Sequence, residues 1–328
     1  MVEASLKKKS FKTFLSYPIL KLFISKRAET ITVLDMEELN QLSASKFVHF
    51  SKIENLKLQF MTFECALNCI DYLPKFCKEL PYLTSINLDF INTLKAEHLK
   101  LVCLTLSDLE EISIKCYSHL NTSAKYIFQL IKLQYLDISG CQFKPRIPIH
   151  SYHMSPFYKA IQKSKLDKLK VLRGSGNILE DIVMEFLQKA PYLVDLDLSS
   201  CCIGDPTLKI ISKLLIHLKY LNLEDCCFIS HGGLIGKIQL ICTTYEDKYT
   251  SKPLSNTKGL EKLNLSGCFR ITDASIIQAI QFQYLQELYL EGCKISDRAM
   301  LRMYLNNPCL RKVIHPNYSL VSMLYKTK

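Results

Sequence analysis

Apolar residues recur along this chain in a frame of six, with leucine-like side chains at the first, fourth and sixth places. By that frame, segments begin at Ile53, Leu83, Leu109, Leu133, Leu169, Leu193, Leu218, Leu260, Leu285 and Leu310. The spacings are 30, 26, 24, 36, 24, 25, 42, 25 and 25 residues. A weaker copy, Ile31-x-x-Leu34-x-Met36, lies 22 residues before Ile53 and opens the series. The first half of each segment alternates apolar and polar residues, which predicts a short strand, because successive strand side chains point to opposite faces. The second half changes to three-to-four spacing, and Leu208, Ile211, Leu214 and Leu215 show the resulting helical stripe. Asp205, Asp273 and Asp297 stand just before such stripes. An aspartate there can cap the exposed amides of the helix that follows.

The clearest copies extend the frame to a ninth place held by cysteine. They read Leu193-x-x-Leu196-x-Leu198-x-x-Cys201, Leu218-x-x-Leu221-x-Leu223-x-x-Cys226, Leu260-x-x-Leu263-x-Leu265-x-x-Cys268 and Leu285-x-x-Leu288-x-Leu290-x-x-Cys293. This is the frame of a leucine-rich repeat. The expected fold is α/β, a leucine-rich repeat solenoid (horseshoe) of about ten or eleven strand-turn-helix units with a concave parallel sheet and convex helices. Residues 1–30 are expected to form an N-terminal basic helical cap, 31–316 the solenoid, and 317–328 a C-terminal cap that covers the last repeat. Insertions interrupt the array near 142–157 and 243–257. Pro145, Pro148 and Pro156 predict a non-helical excursion in the first, and the second is polar.

A length of 328 residues would suggest two domains, but repeats pack only on their neighbours, so one elongated domain is expected. With 48% hydrophobic and 22% charged residues the chain has the balance of a packed protein. Lys21 and Lys26 break the only early apolar run, so no transmembrane segment is expected. Of the fourteen cysteines, Cys141, Cys201, Cys226, Cys268 and Cys293 fill the ninth place of their repeats, and Asn177 takes it in the repeat from Leu169. That periodicity predicts a structural Cys/Asn ladder of small buried residues rather than disulfide halves. Thiols stacked on adjacent strands would oxidise in an oxidising compartment, so an intracellular site, cytoplasmic and/or nuclear, is expected.

Candidate chemistry is sparse. The ladder offers no Cys-x-x-Cys pair with matching histidines, and prolines surround His150 and His153, so no metal is expected. Cys65, Cys69 and Cys77 read as the buried side of a helix. His231-Gly232-Gly233 has no nucleophile elbow to serve and reads as a turn before a helix at Leu234. Gly174-Ser175-Gly176 lacks the third glycine of a dinucleotide fingerprint. No nucleophile, base and orienting group share a motif, which predicts no enzyme, no catalytic residues and no cofactor.

Charge discriminates better. Residues 1–30 contribute +5 and residues 142–170 contribute +6, which equals the whole net charge of +11. Lys7, Lys8, Lys9 and Lys12 form one basic patch, and Lys163, Lys165 and Lys168 another. The fifth and seventh frame places, expected to line the concave face, carry instead Asp35, Glu37, Asp89, Asp137, Asp197, Glu224 and Glu291 against Lys57, Lys115 and Arg173, and Asp195 and Glu287 are placed in the same candidate face. A nucleic-acid groove needs the opposite balance. The concave face is therefore expected to bind a protein partner of basic character, with Tyr135, Tyr220 and Tyr289 as amphipathic anchors. The competing reading has the basic patches contact RNA or an anionic membrane.

The repeat subtype, L-x-x-L-x-L-x-x-C followed by I-x-D and a helix, resembles that of F-box leucine-rich repeat proteins and of the related antagonist of mitotic exit network family. Leu263–Asp273 and Leu288–Asp297 are the best examples, and the resemblance spans about 109–313. It implies non-catalytic recognition as a substrate-receptor-like subunit of a cullin-type ubiquitin ligase, with a ligase adaptor as a partner. About 30 residues precede the first strand, without tryptophan or a leucine-proline start, so an F-box is not expected. Ser5-Leu6 and Ser10 to Phe14 loosely resemble an elongin-binding box, but Leu6, Phe11, Phe14 and Leu15 read better as one face of a capping helix. A ligase-independent interaction scaffold is the alternative.

Overall fold

A computed structural model describes residues 83–142, 155–176, 178–237 and 252–315, with the short pieces 33–35, 60–62, 73 and 77–78. Among these are eleven three-residue strands: Val33–Asp35 (β1), Phe60–Thr62 (β2), Ser85–Asn87 (β3), Glu111–Ser113 (β4), Tyr135–Asp137 (β5), Val171–Arg173 (β6), Asp195–Asp197 (β7), Tyr220–Asn222 (β8), Lys262–Asn264 (β9), Glu287–Tyr289 (β10) and Lys312–Ile314 (β11). The helices among the described residues are Ala96–Thr105 (α1), Leu120–Ile127 (α2), Pro156–Gln162 (α3), Glu180–Lys189 (α4), Asp205–Leu214 (α5), His231–Ile235 (α6), Asp273–Ala279 (α7) and Asp297–Asn306 (α8). The chain divides into two units, Met1–Lys168 and Leu169–Lys328. In the first, β1 to β5 pair in parallel in chain order, and α1, α2 and α3 stack on one another. In the second, β6 to β11 do the same, with α4, α5, α6, α7 and α8 in series. Parallel strands joined by a helix in each described crossover from β3 onward form the α/β leucine-rich repeat solenoid fold.

The core follows the frame. Leu193, Leu196, Leu198, Leu218, Leu221 and Leu223 are buried, as are Leu208 and Ile211 on the helix that faces them. Gly174 stands where its neighbours have the sixth-place leucine, and the Ile178 side chain occupies the space a Cβ there would need. Three residues beyond each strand from β3 to β10 the chain turns through the left-handed region, at the eighth place. Phe90, Cys116, Gly140, Gly176, Ser200, Asp225, Gly267 and Gly292 all have φ between 56° and 112°. That conformation costs any residue with a Cβ roughly 1–2 kcal/mol, so four copies accept strain that the four glycines avoid.

Three expectations need correction. Strand β2 is Phe60–Thr62, in register with Val33–Asp35 and Ser85–Asn87, so its repeat starts at Leu58 and not Ile53. Both frames present apolar residues three apart, but Leu58 evens the flanking intervals to 27 and 25 residues. Lys57 thus precedes the strand instead of lying in it. Next, the first insertion ends in a helix. Pro156 sits in the first turn of α3, where its missing N–H is not needed, and Ser155 Oγ accepts from the Tyr158 amide at 3.1 Å. Phe157 and Ile161 of that helix are buried, with the Phe157 ring edge-on to Phe128. The end of the second insertion is likewise built in: Leu254 and Thr257 are buried, and Asn256 Nδ2 donates to the Ser212 carbonyl at 2.7 Å. Finally, His231-Gly232-Gly233 is the first turn of α6, with Ser230 as its cap. Residues 1–30, 143–154, 238–251 and 317–328, on which the terminal caps and most of both insertions fall, lie outside the described residues.

The aspartates ahead of the helices also act differently from the expectation. Asp205 and Asp273 are the first helical residues, not the caps, and their carboxylates reach the next repeat. Asp205 accepts from the Ser230 amide (2.8 Å) and hydroxyl (2.6 Å), and Asp273 accepts from the same two groups of Ser296. Glu180 does so for α5, taking the amides of Gly204 and Thr207 and the Thr207 hydroxyl. Each acid thus lies in one helix's first turn while fixing the start of the following helix.

Candidate recognition face

The third and fifth frame places form the strand face opposite the core. In the second unit the strand pairing aligns Val171, Asp195, Tyr220, Lys262, Glu287 and Lys312 in one row, and Arg173, Asp197, Asn222, Asn264, Tyr289 and Ile314 in the next. These rows place Arg173, Asp195, Asp197, Tyr220, Glu287 and Tyr289 on one strand face, spread over β6 to β10. Glu224 and Glu291 follow at the seventh place, Glu291 exposed and Glu224 accepting from Asn264 Nδ2 at 3.1 Å.

Most charges on this face are spent internally. Arg173 donates to Asp195 at 2.6 Å and stands 3.9 Å from Asp197. Burial, reinforced by Asp197 and opposed by Arg173, holds the Asp195 carboxyl above the usual range. Further along, Tyr289 OH donates to Glu287 (2.6 Å) and accepts from Lys312 (2.9 Å), while Lys262 pairs with Glu287 at 3.3 Å. The Lys262 and Lys312 ammonium groups lie 5.1 and 4.9 Å from the Tyr289 ring centroid. The Tyr289 hydrogen bond, more than the two lysines, depresses the Glu287 carboxyl. Burial pulls Lys262 down, but its bonds to Tyr289 and Glu287 outweigh it and hold that ammonium above the lysine range.

The fifth place has a structural duty that a charge count does not reveal. Asn87, Asp137, Asp197, Asn222 and Asn264 each accept, through Oδ1, the backbone N–H two residues on, at 2.8 to 3.1 Å. This side-chain turn leads into the left-handed eighth place. In the first unit Asp89 and Asp137 are each 1% exposed, and Lys115 reaches between them at 3.3 and 3.5 Å. Asp137 therefore leaves the set of partner contacts: it is buried and bound to Ser139 N and Lys115. Tyr220 differs from all of these. It is a large side chain at the first residue of β8, 40% exposed, bracketed in register by Asp195 and Lys262.

Behind this face runs the cysteine row. Cys141, Cys201, Cys226, Cys268 and Cys293 are buried free thiols. Each donates to the sixth-place carbonyl of the preceding repeat, on Ile114, Gly174, Leu198, Leu223 and Leu265 respectively, at 3.1 to 3.2 Å. Burial pushes Cys141, Cys201 and Cys268 up to about 12 and Cys293 to about 11, so these thiols stay protonated. Cys77 is buried and pushed up to about 12. Asn177, Cys65, Cys69, His150, His153 and Lys7 to Lys12 lie outside the described residues. Lys163, Lys165 and Lys168 are exposed where the chain leaves α3, with Asp167 among them. Among the described residues no three His, Cys, Asp or Glu side chains cluster as metal ligands, and no helix is long and apolar enough to cross a membrane.

Comparison with known proteins agrees with the repeat. Two leucine-rich repeat family models match, one over residues 189–209 and one over 132–153. No curated protein matches the chain in sequence. Among solved structures, the chain is similar to one in the crystal structure of the yeast Rad7 and Elc1 complex, at 15% identity and a TM-score of 0.48, over 90% of this chain and 87% of the other. It is also similar to an internalin (inlF) of Listeria monocytogenes, at 15% identity and a TM-score of 0.49, over 88% of each chain.

Proposed function

We propose that this chain is a non-catalytic recognition protein that holds a protein partner on the strand face of its second unit, anchored by Tyr220. The observation that carries this reading is the exposed Tyr220 ring between Asp195 and Lys262. An aromatic with one apolar face and a polar tip, on a rigid strand, loses little entropy when covered and supplies much of an interface's energy. The surrounding charges are fixed by internal pairs, so they offer shape and hydrogen bonds more than net attraction. A partner meeting Glu224 and the exposed Glu291 would present basic or amide groups there. The finer reading, a substrate-receptor-like subunit of a cullin-type ubiquitin ligase working in the cytoplasm or nucleus, draws on the cysteine-containing repeat subtype and on thiols that stay free and protonated. A scaffold independent of any ligase uses the same face.

The test is affinity purification of the intact chain beside Tyr220→Ala and beside a chain lacking residues 1–30, with co-purifying proteins quantified by mass spectrometry. Partners lost with Tyr220→Ala support recognition by this face, and an unchanged set refutes it. Cullin or adaptor subunits that disappear with residues 1–30 support the ligase receptor; their absence from every sample supports the scaffold.

A further inference from the structure

The edge of the second unit where strands turn into helices carries two exposed phenylalanines on adjacent repeats. Phe228 is 50% exposed and Phe269 is 68% exposed. Neither ring is there through slack in the chain. Cys226 and Ile229 are buried on either side of Phe228, and Cys268 and Ile271 on either side of Phe269, so the residues between must face outward. Phe228 is held further by Gly204, with which it forms a β-bridge and whose missing Cβ leaves room for the Phe228 backbone. Leaving these rings partly in water forgoes stabilisation that a partner covering them would recover.

The charges on the edge are one-sided. Among residues 225–228, 267–270 and 292–295 the cations are Arg270 and Lys294 and the one acid is Asp225. The Asp225 carboxylate is turned against Gly267, filling the space a side chain there would take. Arg270 and Lys294 are exposed and make no ion pair among the described residues. The Arg270 guanidinium lies over the Phe228 ring, 5.8 Å from its centroid. Stacking restricts the arginine while leaving its N–H fork free for a carboxylate, which lowers the entropy cost of binding one.

We infer that this edge is a second docking surface, separate from the strand face, for a partner segment that joins acidic side chains to an apolar one: a carboxylate on Arg270 and Lys294, and a leucine or aromatic side chain against Phe228 and Phe269. A basic segment would meet two unpaired cations, and a purely apolar one would leave the arginine fork unused.

The full-length chain is used to select from a displayed library of random peptides, with an Arg270→Gln/Phe269→Ser double variant in parallel, and enriched peptides are titrated by fluorescence anisotropy. Wild type is expected to enrich peptides bearing Asp or Glu beside Leu, Phe or Trp. Each single substitution should weaken their binding about tenfold, and Tyr220→Ala should leave it unchanged. Raising the salt concentration should weaken it further. Equal enrichment of acidic-apolar peptides on wild type and the double variant, enrichment of basic peptides that the double variant alone abolishes, or loss of acidic-apolar binding with Tyr220→Ala alone would each overturn the inference. The last outcome would transfer the binding to the strand face. Both substitutions are on exposed side chains, and an unchanged circular dichroism melt verifies that the variants fold.

Discussion

The thiol of Cys226 donates to the carbonyl oxygen of Leu198, one repeat earlier, at 3.2 Å. The same contact recurs at four other repeats, so the ninth-place cysteine ties each turn to the one before it. Cys226→Val adds one methyl group and removes the thiol donor, leaving the Leu198 carbonyl to the Cys201 amide alone, which should cost about 0.5–1.5 kcal/mol in urea unfolding. Serine retains a donor and should cost less. Equal melts for valine and serine would show that the cysteine only fills space.

The same burial makes an alkaline prediction. Cys201 and Cys268 titrate near 12 in the folded chain against a usual value of 9.0, so the folded state holds its thiol protons more tightly than the unfolded state. That contribution is complete below about 9 and is lost as the pH rises toward 12. Native-state pulses of iodoacetamide should modify the exposed Cys202, Cys227 and Cys309 while sparing these two until the chain unfolds. Peptide mapping that finds Cys268 alkylated as fast as Cys202 would refute the account.

Lys115 neutralises two carboxylates that are almost completely buried. Lys115→Met should therefore destabilise the first unit by about 2–4 kcal/mol, less than a fully buried pair because the lysine is partly solvated. Adding Asp89→Asn and Asp137→Asn should recover part of the loss, since uncompensated charge is the cause. A triple variant less stable than the single one would point to lost hydrogen bonds instead.

The repeat frame was legible because a core place tolerates few side chains: Leu196, Leu221, Leu263 and Leu288 are all leucine and all buried. Places that face solvent were harder. Asp137 and Asp197 look like recognition acids in a list of residues, but a carboxylate or amide two residues before a tight turn also bonds its own backbone. The recurrence of Asn or Asp at the fifth place was the available signal. Ile53 attracted the frame because Leu56 follows at the right interval, and only strand register separates it from Leu58. Phe228 and Phe269 are not legible as surface residues because their apolar character suggests the core, whereas the places beside them are the buried ones.

The left-handed eighth place gives a paired test. Ser200 has φ 56°, and Ser200→Gly should stabilise the second unit by a few tenths to about 1 kcal/mol, the strain relieved exceeding the added unfolded-state entropy. Gly267→Ala should do the reverse and cost more, because its Cβ meets both the strained φ of 71° and the Asp225 carboxylate. Thermal melts of the two variants should shift in opposite directions.

Asp273 fixes the start of α8 through the amide and hydroxyl of Ser296, and those hydrogen bonds hold its carboxyl below the usual range. A depressed folded value means that the folded chain binds this proton less readily than the unfolded one. The stabilisation is therefore present above the ordinary aspartate range and lost as the pH falls through the folded value. Because the group is near the surface, solvent limits the effect to about 1 kcal/mol. Asp273→Asn should lower stability by that amount at neutral pH and by little in acid, where the wild-type carboxyl is itself protonated. Urea unfolding of both chains at neutral and acidic pH measures the difference directly. A gap between them that stays constant across the range would assign the loss to geometry and not to charge, and the cross-repeat link would then be a neutral hydrogen bond.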